Sequence, residues 1–212
     1  MAGADAMDSD ATGIDSVLDF WFGQGPLDAD ALKAASRRWF ASNPEADRAL
    51  ADRFAPLHAA ALRGELDAWA ETATGRLALI LVLDQFSRNL YRGRPQAFAA
   101  DPKALALTLD GIERGLDAEL GAIERAFFYM PLQHAESTEI QALSVRQFEA
   151  LAAENTAEHL RATLAGYAEF AHQHAEIVAN FGRFPHRNAA MGRESTDAEQ
   201  AFLAAGATRF GQ

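Results

Sequence analysis

The 212-residue sequence contains no cysteine. That removes a disulfide framework, cysteine-ligated zinc or iron–sulfur centres and a thiol nucleophile together. Lysine is nearly missing as well, at 2 residues against 17 arginines, so almost all the positive charge sits on planar guanidinium forks. No apolar run approaches the roughly 18 residues that a bilayer requires; the stretch 77–83 has seven. Close-spaced H-E-x-x-H ligands, phosphate-cradling glycine loops and nucleophile elbows are absent. Gly23-x-Gly25 is no substitute, because it follows a predicted helix and runs into a proline. Residues 1–12 lack the apolar core of a secretory signal and are expected to form a flexible tail of a cytoplasmic protein.

An apolar fraction of 49% supports a real core, and the length suits one domain, expected over 13–212. A formal net charge of −11 opposes general binding to nucleic acid or to a membrane surface, both of which would repel the chain at long range.

Alternating strand patterns are scarce, and apolar residues recur every three or four positions throughout, so the chain is predicted to be all-α. About nine helices joined by short connections make an antiparallel array. The most apolar one, 76–90, is hydrophobic on every side for two turns and is expected to be central. A helix from 122 meets Pro131, which should interrupt or kink it. Thr196 and Glu199 form a capping box ahead of a last helix. No 34-residue repeat signature is legible.

The central helix turns abruptly polar at its end, D-Q-F-S-R-N-L-Y-R-G over 84–93. At 100° per residue Asp84, Gln85, Arg88, Asn89 and Arg92 share an arc of about 140° and can face one space. Asp84 and Arg88 make an i, i+4 pair. Taken into a dry interior, two arginines against one aspartate leave a charge to be balanced. The segments 85–100 and 177–193 each carry three arginines and no acid, a local imbalance that suits an anion. His134 and Glu136 lie in Y-M-P-L-Q-H-A-E, about 200° apart on a regular helix, too far to ligate one metal. His174 shares a face with Ile177, Val178 and Phe181, while His172 and Glu176 form an exposed i, i+4 pair.

D-Q-F-S-R-N-L-Y-R-G at 84–93, Y-M-P-L-Q-H-A-E at 129–136, H-A-E-I-V-A-N-F-G-R-F-P-H-R-N at 174–188, G-R-E-S-T at 192–196 and V-L-D-F-W-F-G at 17–23 appear in this order. Together they resemble the bacterial domain-of-unknown-function 924 family. The resemblance implies an all-α, tetratricopeptide-like fold with no established activity. It marks Asp84, Gln85, Arg88, Asn89, Tyr91, Arg92, His134, Glu136, His174, Arg183, His186, Arg187 and Asn188 as family positions. Ser87 stands where the family usually has proline, and Ala135 where it often has serine.

The favoured expectation is a pocket for a small anionic ligand, a carboxylate or phosphate. Gln85, Arg88, Asn89, Arg92, Arg183, Arg187 and Asn188 would hold it, with His134, Glu136, His174, His186 and Asp84 available for proton transfer. No metal is expected, and no cofactor is indicated. The alternative is a non-catalytic scaffold that clamps a peptide carboxylate. A third reading has the polar motifs bond to one another and lock helix ends.

Overall fold

The computed structural model describes residues 13–25, 27–40, 43–155 and 157–206; the predicted tail at 1–12 falls outside these, as does Pro26, the proline after Gly25. Among the described residues every regular element is helical. None is long and apolar enough to cross a membrane.

The first layer is built from α1 (Ile14–Phe22), α2 (Ala29–Phe40) and α3 (Pro44–Leu62). Leu32, Ala35 and Trp39 bury one stripe of α2, and Leu50, Phe54, Leu57 and Ala61 one stripe of α3, at the spacing of a helix face. Asn43 starts α3 by accepting from the amides of Glu45 and Ala46, with Pro44 in the favoured first position. The Trp39 indole donates to the Trp21 carbonyl at 2.8 Å and fastens α2 to α1.

The central rod begins with α4 (Ala73–Leu81), passes through a π-helical turn (Val82–Phe86) and ends as α5 (Ser87–Leu90). Leu77 to Leu83 are all fully buried, as expected from a stretch with no polar side. Arg76 is buried beside them, its guanidinium donating to the carbonyls of Ala70 and Leu107 and pairing with Asp110. Around the rod pack α1, α3, α6 (Asp101–Glu113) and α7 (Ala122–Gln133).

Pro131 lies inside α7 and does not interrupt it. Ala126 to Gln133 are all buried against α4, α6 and α8, and that packing outweighs the roughly 3 kcal/mol a proline costs an isolated helix. The Thr108 hydroxyl donates to the Phe128 carbonyl, one residue from the backbone bond that Pro131 removes.

α8 (Thr138–Glu154), capped by Ser137, and α9 (Glu158–Phe181) form a closely packed pair. Gly182 ends α9 at φ 71°, a left-handed conformation that favours glycine. A 3-10 turn (Pro185–Arg187), the single turn α10 (Asn188–Met191) and α11 (Asp197–Ala204) follow. Ile177, Val178 and Phe184 form a small second core with Phe181 and Phe202. Counting α4 through α5 as one rod and setting α10 aside, the described residues hold the nine helices that periodicity predicts.

Candidate functional site

The π turn sets the site. It replaces i, i+4 bonding with i, i+5, and α5 stops at Leu90. The five polar side chains of 84–92 therefore do not share one arc: Asp84, Gln85 and Arg88 go to one side, and Asn89 and Arg92 to the other, where both bond Asp47 of α3. Ser87 adds a contact that a proline could not make. Its hydroxyl donates to the Leu83 carbonyl and meets Nε2 of the buried His58 at 2.7 Å.

Asp84 is fully buried and completely engaged. His134 Nδ1 meets its Oδ1 at 2.7 Å, Arg88 Nη1 lies 3.0 Å from the same oxygen, and Gln85 donates to Oδ2 at 2.6 Å. Burial alone would raise this carboxyl, but Arg88 and His134 reverse that and hold it below the usual carboxylate range. Arg88 also grips Asp101, the first residue of α6, end-on with Nη1 and Nη2 at 2.9 and 3.0 Å. Arg187, from the 3-10 turn after α9, reaches the same carboxylate with Nη1 at 3.4 Å. Its guanidinium carbon lies 4.7 Å from the Phe98 ring centre and 4.5 Å from that of Phe184.

Three histidines complete the group. The rings of His134 and His174 are 6.3 Å apart, His174 and Phe184 5.6 Å, and Phe184 and His186 5.5 Å. A closed circuit results: His134, Asp84, Arg88, Asp101, Arg187, Phe184, His174 and back to His134. Burial lowers the proton affinity of all three imidazoles, to about 3 at His174 and about 4 at His186, with Arg88 adding to the effect at His134 and Arg187 at His186. They are neutral at pH 7.

The acceptors fix two tautomers. An ionised Asp84 can only accept, so His134 Nδ1 carries the hydrogen and Nε2 is a lone-pair acceptor. No bond to that Nε2 is present among the described residues, and His134 keeps 14% of its side chain exposed. The Phe170 carbonyl imposes the same tautomer on His174, at 2.7 Å.

Glu136 serves the loop instead of the histidines. Arg193 holds it at 2.6 and 2.9 Å, and it accepts from the Phe184 amide at 2.8 Å, which anchors the backbone carrying His186 and Arg187. Arg183 and Asn188 point away from the circuit to Glu199: Arg183 bonds it side-on at 2.6 and 2.8 Å, and Asn188 at 3.3 Å. Arginines of both acid-free segments therefore have acids from elsewhere in the chain: Asp47 for Arg92, Asp101 for Arg88, Glu199 for Arg183. His172 pairs with Glu149 of α8 and not with Glu176.

Of the predicted residues, the structure brings Asp84, Gln85, Arg88, His134, His174, His186 and Arg187 into one neighbourhood. Asn89 and Arg92 form a separate contact with α3. Arg183 and Asn188 form another with α11. Asp101, Phe98 and Arg193 were not singled out; Asp101 opens a helix thirteen positions after Arg88, and no local spacing signals that it is shared. No group of three or more acids and histidines able to hold a metal ion is assembled among the described residues. A groove of about 720 Å³ between α1 and the starts of α7 and α9, lined by Leu18, Phe22, Ile123 and Leu160, includes none of the predicted residues.

The fold and the buried His–Asp–Arg circuit thus define an all-helical protein with one concentrated polar interior. The chain belongs to the family described as bacterial protein of unknown function (DUF924), which matches residues 17–207. It is also similar to a solved structure, the protein of unknown function ATU0120 from Agrobacterium tumefaciens, with 36% identity and a TM-score of 0.77, covering 91% of this chain and 97% of that one. No curated protein matches it.

Proposed function

We propose that the circuit is a small-molecule site in which His134 accepts a proton from an anionic ligand held beside Arg187. The observation that carries this reading is the Asp84–His134 pair at 2.7 Å. A fully buried carboxylate orients an imidazole, fixes its Nδ1–H tautomer and stabilises the imidazolium formed when Nε2 takes up a proton. Burial keeps His134 neutral at pH 7, which is the form a base requires. The carboxylate or phosphate of such a ligand would meet Arg187, not the four arginines of the sequence-based expectation, because Arg88, Arg92 and Arg183 each hold an acid at bonding distance.

The test uses anion-dependent thermal shift on wild type, Arg187→Ala and His134→Asn. Asparagine can keep a donor toward Asp84 but offers no basic ring nitrogen. A stabilising anion should lose its effect in Arg187→Ala, and exchange of its transferable hydrogen for solvent deuterium, followed by NMR, should disappear in His134→Asn. If no small anion stabilises the wild type, or if both variants respond as it does, the site is an internal fastening network and this function is wrong.

A further inference from the structure

Arginine offers two forks: the end-on pair Nη1 and Nη2, and the side-on pair Nε and Nη2. Around the circuit each arginine but one fills a fork. Arg88 uses the end-on pair on Asp101, and Arg193 uses its own on Glu136. Arg183 uses the side-on pair on Glu199, at 2.6 and 2.8 Å. Arg187 has one bond, Nη1 to Asp101 at 3.4 Å, and both oxygens of that carboxylate are already taken by Arg88 at 2.9 and 3.0 Å.

Its side-on fork is empty. Nε is buried and meets no acceptor, and Nη2 has no bond among the described residues. Arg187 as a whole is 6% exposed. Buried donors are rarely left without partners, least of all on a charged group, because the lost hydration is not returned. The cost is visible in the group itself: burial, with Arg88 adding to it, pulls the guanidinium down to about 10 despite Asp101.

Two further features select among anions. Phe98 and Phe184 bring their ring centres within 4.7 and 4.5 Å of the guanidinium carbon and narrow the space around it, and a planar carboxylate matches the Nε and Nη2 donors. The charges of the circuit already cancel, with Arg88 and Arg187 against Asp84 and Asp101. A second negative charge on the ligand would add repulsion from both aspartates at a buried location.

We infer that Arg187 receives a single carboxylate side-on through Nε and Nη2, so that the ligand is a small monocarboxylate and not a phosphate or a phosphate ester. This rests on the reading of the circuit as an anion site, and goes beyond it by naming the anion. Titration of acetate, lactate, benzoate, phosphate and sulfate into the whole protein at pH 7 and matched ionic strength, followed by calorimetry and thermal shift, tests both.

At least one of the carboxylates should bind saturably and neither oxyanion should. Arg187→Lys, which keeps the charge and loses the fork, should weaken that binding roughly ten- to hundred-fold, the worth of one charge-assisted bond. Binding of phosphate or sulfate without a carboxylate would overturn this inference and leave the anion site standing. Binding of nothing would overturn both. Unchanged carboxylate binding in Arg187→Lys would overturn the placement. Should that variant fail to fold, the ordering of carboxylates against oxyanions in the wild type decides.

Discussion

Four of the six histidines, His58, His134, His174 and His186, have proton affinities lowered chiefly by burial, and this predicts an unusually steep loss of stability in mild acid. The sign follows from linkage. Each folded pKa lies below that of the unfolded chain, about 6.5, so beneath that pH the unfolded state binds protons that the folded state refuses. The stability these groups protect is complete above pH 6.5 and falls as pH drops toward their folded values. His174 at about 3 and His186 at about 4 span the whole interval from pH 6 to 5. Each contributes about 1.4 kcal/mol per pH unit there, so the two give about 2.7, and His58 and His134 act in the same direction.

Against a typical total of about 5–15 kcal/mol, a loss of that size brings the unfolding midpoint within reach of pH 5. The depressed carboxylates act in the same sense at lower pH. Asp84, and Glu199 beside Arg183, lose their contribution as pH falls from about 4 toward 2. Urea denaturation at steps from pH 7.5 to 5.3, kept above the isoelectric point near 4.9, measures the slope directly. His174→Leu should lower it by about one proton. A wild-type slope below about 1.4 kcal/mol per unit between pH 6.3 and 5.3, fewer than one proton taken up, would refute the assignment of these histidines as buried and neutral.

Asp101→Asn leaves both Arg88 and Arg187 without their shared acid; removing one member of a buried pair costs about 3 kcal/mol, which for a chain of this size lowers the melting temperature by roughly 6–12 °C, and a drop under about 2 °C would contradict the bridging role. Two glycines should respond in opposite directions in urea titrations. Gly75→Ala puts a Cβ 2.3 Å from the Trp69 carbonyl oxygen, which cannot yield, and should destabilise by about 1–3 kcal/mol. Gly166→Ala, inside α9 with open space around it, should stabilise by about 0.5–1 kcal/mol.

The helical frame was legible because its signals are local. The Thr196–Glu199 box starts a helix where its chemistry says it should, and seven consecutive apolar residues form the buried rod they were expected to form. Pro131 failed as a stop because a helix wrapped on three sides gains more from packing than the missing amide costs. The π turn was invisible, since no residue in 82–86 demands it, and its effect was to split a stripe that regular geometry would have kept whole. His58 went unremarked, because a histidine among alanines and leucines gives no sign of the Ser87 hydroxyl that awaits it in the central rod.

The charge imbalance is real as local composition, and most of it is met by acids from elsewhere in the chain. Both acid-free segments draw their counter-ions from a distance: Asp47 lies forty-two positions before Asn89 and forty-five before Arg92, and Glu199 sixteen after Arg183. Local counting of acids therefore cannot tell a receptor from a fastener. Donor edges can. Arg183 and Arg187 stand four residues apart in the same loop, with the same side chain and the same acid-free surroundings in sequence. Arg183 spends its side-on fork on Glu199, a carboxylate that is itself 2% exposed and reserved for it by Asn188 and the Thr196 amide. Arg187 shares an acid that another arginine holds more closely, and keeps Nε of the corresponding fork buried without an acceptor. Two identical side chains in one loop thus divide by what remains undonated. On that criterion Arg183 is a fastener, and Arg187 is the position at which the proposed ligand would restore a bond that the fold leaves unmade.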